Sequence, residues 1–227
     1  MKIVITNDDG HDAPGLEALY GAVSRLGEVL IVAPEAPQSG VGHTITLKGG
    51  VFAKKAGANK YIVQGSPADC ARLALKVFAP DAQWLISGIN PGANLGTDIY
   101  PSGTVAAARE AAMLGRKAIA LSQYIARDHS IDWSITAYHA LRLLPVIMGK
   151  DLGPGQYWNV NFPHPLNTDS LPAHQLCEPE KQPHDYIFYN NSDLYYYDGS
   201  IHDRPRAAGS DVDVCFSGQV AVTRMQF

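Results

Sequence analysis

Ile3-Val4-Ile5 is a short apolar run bounded by polar residues, the pattern of a buried strand. After a turn-like stretch, Leu16, Leu19, Tyr20, Val23 and Leu26 recur at helical spacing, with Pro14 near the start and Gly27 at the end. Val29-Leu30-Ile31-Val32 predicts a second buried strand. Strand, helix and strand in this order close naturally as a right-handed parallel βαβ unit. The pattern returns with a strand at Trp84-Leu85-Ile86, an Ala-rich helix from Val105 to Leu114 stopped by Gly115, and a strand at Ala118–Leu121. Between the two units, Ser66-Pro67-Ala68-Asp69 has the form of a capping box with proline in the first helical position, opening a helix through Leu73 and Val77. A longer helix is expected from about Asp132 to Met148, with Pro145 able to end it early. Trp158 to Phe162 reads as another inner strand. The alternation predicts an α/β fold with a doubly wound sheet.

After Pro163 the character changes. Residues 164–185 are rich in Pro, His and polar groups. Tyr186–Tyr189 and Leu194–Tyr197 then flank Asn190-Asn191-Ser192-Asp193, a signal for a protruding hairpin with aromatic strands. Val212–Phe216 and Gln219–Met225 are expected as the last strands. The organisation expected is an α/β core over 1–163 and an extension over 164–227, either part of the same domain or an oligomerisation arm.

Composition narrows the function classes. Lys+Arg 18 against Asp+Glu 22 leaves a net charge of −4, which provides no basic patch for duplex nucleic acid. No segment approaches the roughly 20 apolar residues of a membrane span, and the first nine residues hold too short an apolar run for a signal peptide. Cys70, Cys177 and Cys215 are odd in number and widely spaced, which suits a reducing, cytoplasmic setting and neither a disulfide framework nor a zinc site.

The candidate chemistry follows strand ends. Asp8-Asp9-Gly10 comes after the first strand, Pro34 to His43 after the second, and Ser87 to Gly96 after the third. In an open parallel sheet these loops gather on one edge, where ligands bind. Asp8, Asp9, Ser39 and Asn90 would there present two carboxylates, a hydroxyl and an amide oxygen, a set suited to one hard divalent cation, Mg²⁺ or Mn²⁺. The plainer alternative is that Asn7–Gly10 is a polar turn. Ser102-Gly103-Thr104 opens the Ala-rich helix, whose free N–H groups and dipole suit a phosphate, or else its hydroxyls merely cap the helix. No G-x-x-x-x-G-K-[ST], complete G-x-G-x-x-G or G-x-S-x-G is present, and Asp8 and Asp9 are adjacent where aspartyl-nucleophile phosphatases usually carry D-x-D.

Taken together, I-V-I-T-N-D-D-G at 3–10, V-A-P at 32–34, S-G at 39–40, G-S-P-A-D-C at 65–70, S-G-I-N-P-G-A-N-L-G-T-D at 87–98, S-G-T-V-A-A-A-R-E at 102–110 and N-V-N-F-P at 159–163 resemble the SurE family of survival-protein nucleotidases. The resemblance implies a metal-dependent phosphomonoesterase acting on nucleoside 5′-monophosphates and often 3′-monophosphates. It places metal ligands at Asp8, Asp9, Ser39 and Asn90, and phosphate-side groups at Asn94, Ser102, Gly103 and Thr104. It also implies a Rossmann-like, mostly parallel sheet flanked by helices, with a protruding C-terminal hairpin used in forming a homodimer or homotetramer. Three positions depart from the family pattern. Gln38 stands where arginine is common, Pro101 where an aromatic or His is common, and the chain stops at Phe227 where many members continue into a helical tail. Two roles stay open for Asp8, as metal ligand beside an attacking water or as the nucleophile. The rival activities are a non-catalytic nucleotide-binding module and a phosphatase of sugar phosphates or short polyphosphate.

Overall fold

The computed structural model describes residues 1–164, 166–167 and 169–227. At its centre, β1 (Lys2–Thr6) runs parallel to β2 (Glu28–Pro34) on one side and β5 (Trp84–Pro91) on the other. Alternate side chains serve opposite faces, as a strand period of two requires. Ile3 and Ile5 join one apolar cluster with Leu16 and Leu19, while Val4 joins another with Val105 and Ala108. The first cluster lies under α1 (Pro14–Val23) and α4 (Trp133–Met148), the second under α2 (Pro67–Leu73) and α3 (Gly103–Met113). Two helix layers on a central parallel sheet give a doubly wound α/β architecture.

The remaining strands are β3 (Phe52–Lys55), β4 (Lys60–Gln64), β6 (Lys117–Gln123), β7 (Gln156–Phe162), β8 (His174–Leu176) and β11 (Val220–Gln226). The nine-stranded order is β3-β4-β2-β1-β5-β6-β7-β11-β8. β3 and β11 are antiparallel to their neighbours β4 and β7. β9 (Phe188–Asn191) and β10 (Leu194–Tyr197) form a separate antiparallel hairpin.

Local signals set several boundaries. Ser66 accepts from the Asp69 N–H while the Asp69 side chain returns a bond to the Ser66 N–H, completing the capping box. α2 then continues as a wider turn over Ala74–Phe78. α4 passes through Pro145 and ends at Met148, because proline removes only one rung while Leu143, Leu144 and Ile147 remain buried around it. Asn190 and Asn191 are strand residues, so the hairpin turns on Ser192 and Asp193 alone.

One expectation is overturned. Val212–Phe216 lies within a short helix, α5 (Asp211–Phe216), and is not a strand. Ser210 caps it by accepting from the Asp213 N–H, and Asp211 and Asp213 sit in the first turn where the helix dipole favours negative charge. This Ser-x-x-Asp start outweighs the β-branched preference of Val212 and Val214. β3, β4 and β8 went unpredicted: β3 and β8 are short and largely polar or charged, and the Tyr61-Ile62-Val63 run of β4 was passed over between Lys60 and Gln64.

Candidate active site

β1, β2 and β5 end on the same edge of the sheet, and backbone hydrogen bonds lace their following loops together. Asn7 Nδ2 donates to Gly10 O at 2.9 Å, closing the turn that presents Asp8 and Asp9. The Gln38 N–H donates to Asp8 O at 2.7 Å, which brings the loop after β2 against the first. The Gly42 N–H donates to Pro101 O at 2.9 Å, joining that loop to the approach to α3. β5 pairs with β6 through Ser87 and Ala120, then resumes at Asn90 and Ser122, so two residues of β5 oppose Leu121 alone. A bulge of this kind re-aims the side chain that follows it, here Asn90.

The Thr104 hydroxyl donates to Asp8 Oδ1 and lies 3.5 Å from Asn90 Oδ1. Asn90 Nδ2 is occupied by Gly92 O at 2.7 Å, so its amide oxygen is the end left for a ligand. Gly103 is pressed against Asp8: a Cβ there would fall 2.8 Å from Asp8 Cβ, which only glycine avoids. Burial raises the Asp8 pKa, and the Thr104 hydroxyl and the N–H groups at the start of α3 counter it. Asp9 is pushed up to about 7, first by burial and then by the Asp8 charge, and its buried Oδ2 has no hydrogen-bond partner among the described residues.

Two carboxylates this close, each raised by burial and one oxygen without a donor, form a site of negative charge short of a cation. The donors are all oxygen, which fits a hard divalent ion. No group of three or more His, Cys, Asp or Glu with metal-holding geometry occurs among the described residues, so Asn90 and Ser39 would have to complete the shell. Ser39 is exposed and its hydroxyl makes no hydrogen bond among the described residues, although its neighbour Gln38 is bonded to Asp8.

The residues expected on the phosphate side divide into two groups. Ser102 caps α3, its Oγ accepting from the Val105 N–H at 3.1 Å, and its own hydroxyl hydrogen remains to donate. Asn94 is buried and donates through Nδ2 to Ser122 Oγ at 2.8 Å, which leaves one amide hydrogen. Its backbone is gripped by Asn161, which accepts from Asn94 N at 2.8 Å, and by Asn159, which donates to Asn94 O at 2.9 Å. These supports were missed as site residues. The signal was two asparagines at a spacing of two, set among Trp158, Val160 and Phe162.

A second missed group lies along α3. Glu110, almost fully buried, bonds Arg72 Nε at 2.7 Å and His43 Nε2 at 2.8 Å. His43 therefore anchors the loop that carries Ser39. Burial opposes the Glu110 charge, and the His43 and Arg72 bonds more than offset it, holding the carboxyl below its usual range.

Comparison with known proteins supplies the lineage. The family model described as survival protein SurE matches residues 3–184. A Synechocystis sp. protein provisionally named a 5′-nucleotidase is 44% identical over 226 residues, covering all of both chains. The 5′-nucleotidase SurE of Geotalea daltonii is 37% identical over 98% of this chain and 92% of its own. The crystal structure of the SurE protein from Aquifex aeolicus superposes with a TM-score of 0.88 at 29% identity, covering 100% of this chain and 93% of that one. With a family model matched over most of its length and relatives aligned from end to end, this chain belongs to the SurE family.

Proposed function

We propose that the chain is a 5′-nucleotidase, hydrolysing the phosphomonoester of a nucleoside 5′-monophosphate to nucleoside and phosphate at the edge marked by Asp8 and Asp9. The observation that carries this reading is Asp9 Oδ2, buried and without a partner beside a second carboxylate. The names of the relatives point to the same substrate class.

Asp8, Asp9, Ser39 and Asn90 would hold one Mg²⁺ or Mn²⁺. Bound there, such an ion supplies charge that polarises a phosphoryl oxygen and lowers the pKa of water. The chain's own part is positional and electrostatic. Thr104 and the start of α3 fix the Asp8 carboxylate. Ser102, Gly103 and Thr104 offer hydroxyl and N–H donors at the positive end of the α3 dipole, where charge on the phosphoryl oxygens is stabilised. Asn94 contributes its remaining amide hydrogen.

Release of phosphate from AMP with Mn²⁺, and its loss with a chelator, tests the reading; no release from AMP or any other nucleoside monophosphate overturns it. Rapid-quench trapping of a phosphorylated Asp8 separates attack by Asp8 from attack by water. Residues 164–227 join this proposal as an extension whose hairpin is an assembly arm, giving a homodimer or homotetramer. Among the described residues no helix is long and apolar enough to cross a membrane. The three free cysteines support a cytoplasmic setting.

A further inference from the structure

Between Asn94 and Ser102 the chain makes a single tight turn, Gly96–Ile99, that joins the two groups expected on the phosphate side of the site. Residues from the C-terminal extension grip both ends of that turn. At its start, the Gly96 N–H donates to Asp211 Oδ2 at 2.9 Å. Asp211 is fully buried, and its other oxygen accepts from the N–H groups of Glu180 and Val212, both at 2.8 Å. Gly96 has φ +51°, and a Cβ there would lie 3.1 Å from Glu180 Cβ, so the extension packs directly on the turn. Near its end, Asp98 takes a two-pronged bond from Arg204, Nε to Oδ2 at 2.8 Å and Nη2 to Oδ1 at 2.6 Å. The Arg204 side chain is only 9% exposed. A forked, largely desolvated arginine–carboxylate pair has a defined geometry, unlike a surface ion pair.

We propose that Arg204 and Asp211 are positioning residues for the reaction: through Asp98 and the Gly96 N–H they hold the segment that sets Asn90 and Asn94 against Ser102. The proposal rests on the phosphatase reading for its kinetic consequence, but the clamp itself is a property of the fold. The guanidinium of Arg204 also contacts His184 and lies 3.5 Å from Tyr197 Oη of β10. One cation thus joins the base of the hairpin to the loop of the site.

The test compares Arg204→Gln, Asp98→Asn and their double variant with Arg206→Gln. Arg206 belongs to the same extension and packs on the Phe216 ring at 4.4 Å, without reaching the turn. With AMP and Mn²⁺, Arg204→Gln should lower kcat by about tenfold or more through misalignment of the site, with KM for AMP changing far less. The double variant should be no worse than the more impaired single one, because both remove one contact. Arg204→Lys should recover only part of the loss, since an ammonium cannot form the fork. Amide hydrogen exchange over residues 96–104 should quicken in Arg204→Gln and stay unchanged in Arg206→Gln. Wild-type kinetics in Arg204→Gln, or additive losses in the double variant, overturn the proposal. If the wild-type chain hydrolyses neither AMP nor any other nucleoside monophosphate, the nucleotidase reading falls and exchange decides the clamp: unaltered exchange over 96–104 in Arg204→Gln refutes it.

Discussion

Thr104, in the first turn of α3, donates its hydroxyl to the carboxylate of Asp8 at the end of β1, 96 positions earlier in the chain. Thr104→Val keeps the branched shape and removes the hydroxyl. A hydrogen bond to a charged group contributes about 1.5–3 kcal/mol, so kcat/KM for AMP should fall roughly 10- to 100-fold at about 1.4 kcal/mol per tenfold. Thr104→Ser should retain most of the activity. Undiminished turnover in Thr104→Val would show that the bond only braces the helix.

Asp9 gives the metal-free protein a pH signature. Its folded pKa of about 7 stands above the ordinary 3.8, because of burial and then the Asp8 charge. The folded state therefore holds a proton that the unfolded chain has released between these two values, and stability falls as pH rises across that window. Asp9→Asn should flatten this slope, leaving the metal-free variant as stable as wild type or more so near pH 8, while Mn²⁺-dependent hydrolysis of AMP drops by orders of magnitude. Melting curves at about pH 5 and about pH 8 with chelator present check the first part. Near-wild-type turnover in Asp9→Asn would remove Asp9 from the site.

Ser102 has two separable duties. As the cap of α3 it accepts from the Val105 N–H, and Ser102→Ala should cost about 0.5–2 kcal/mol of stability for that reason. As a phosphate donor it should also matter for kinetics, with weaker inhibition by inorganic phosphate and lower catalytic efficiency. Melting that moves while phosphate inhibition stays put would leave Ser102 as a cap alone. Ser39→Ala should weaken Mn²⁺ binding less than Asp9→Asn, since a neutral donor is lost and water can take its place.

The hairpin exposes apolar rings on both of its faces. Tyr186, Ile187, Phe188, Tyr189, Leu194 and Tyr195 are each between 56% and 72% exposed. A lone two-stranded hairpin is marginal in water, and tyrosine favours interfaces because its ring buries area while its hydroxyl tolerates water. Light scattering at micromolar concentration should find a dimer or larger assembly, and deletion of 186–198 should shift it toward monomer. A monomeric wild-type chain, or a deletion variant that assembles fully, would refute the arm.

Much of this molecule was readable from local pattern. The apolar runs at Ile3–Ile5, Val29–Val32 and Trp84–Ile86 became adjacent parallel strands, because a strand buried on both faces needs such a run and βαβ closure has one favoured hand. The Ser66 cap and the Ser102 cap each act within three residues, so their helices begin where the side chains say. Asp8, Asp9 and Asn90 were legible as strand-end residues, since parallel strands must release their following loops on one edge. The α5 helix was not, because its β-branched valines argue for a strand and only the Ser210 cap and burial on the sheet decide otherwise. Nor could sequence pair Gly96 with Asp211 or Asp98 with Arg204, contacts that span 115 and 106 positions. Periodicity and caps are settled by neighbours a few residues away. A buried carboxylate takes whichever donors the finished topology delivers to it, and that partner is known only once the whole chain has packed.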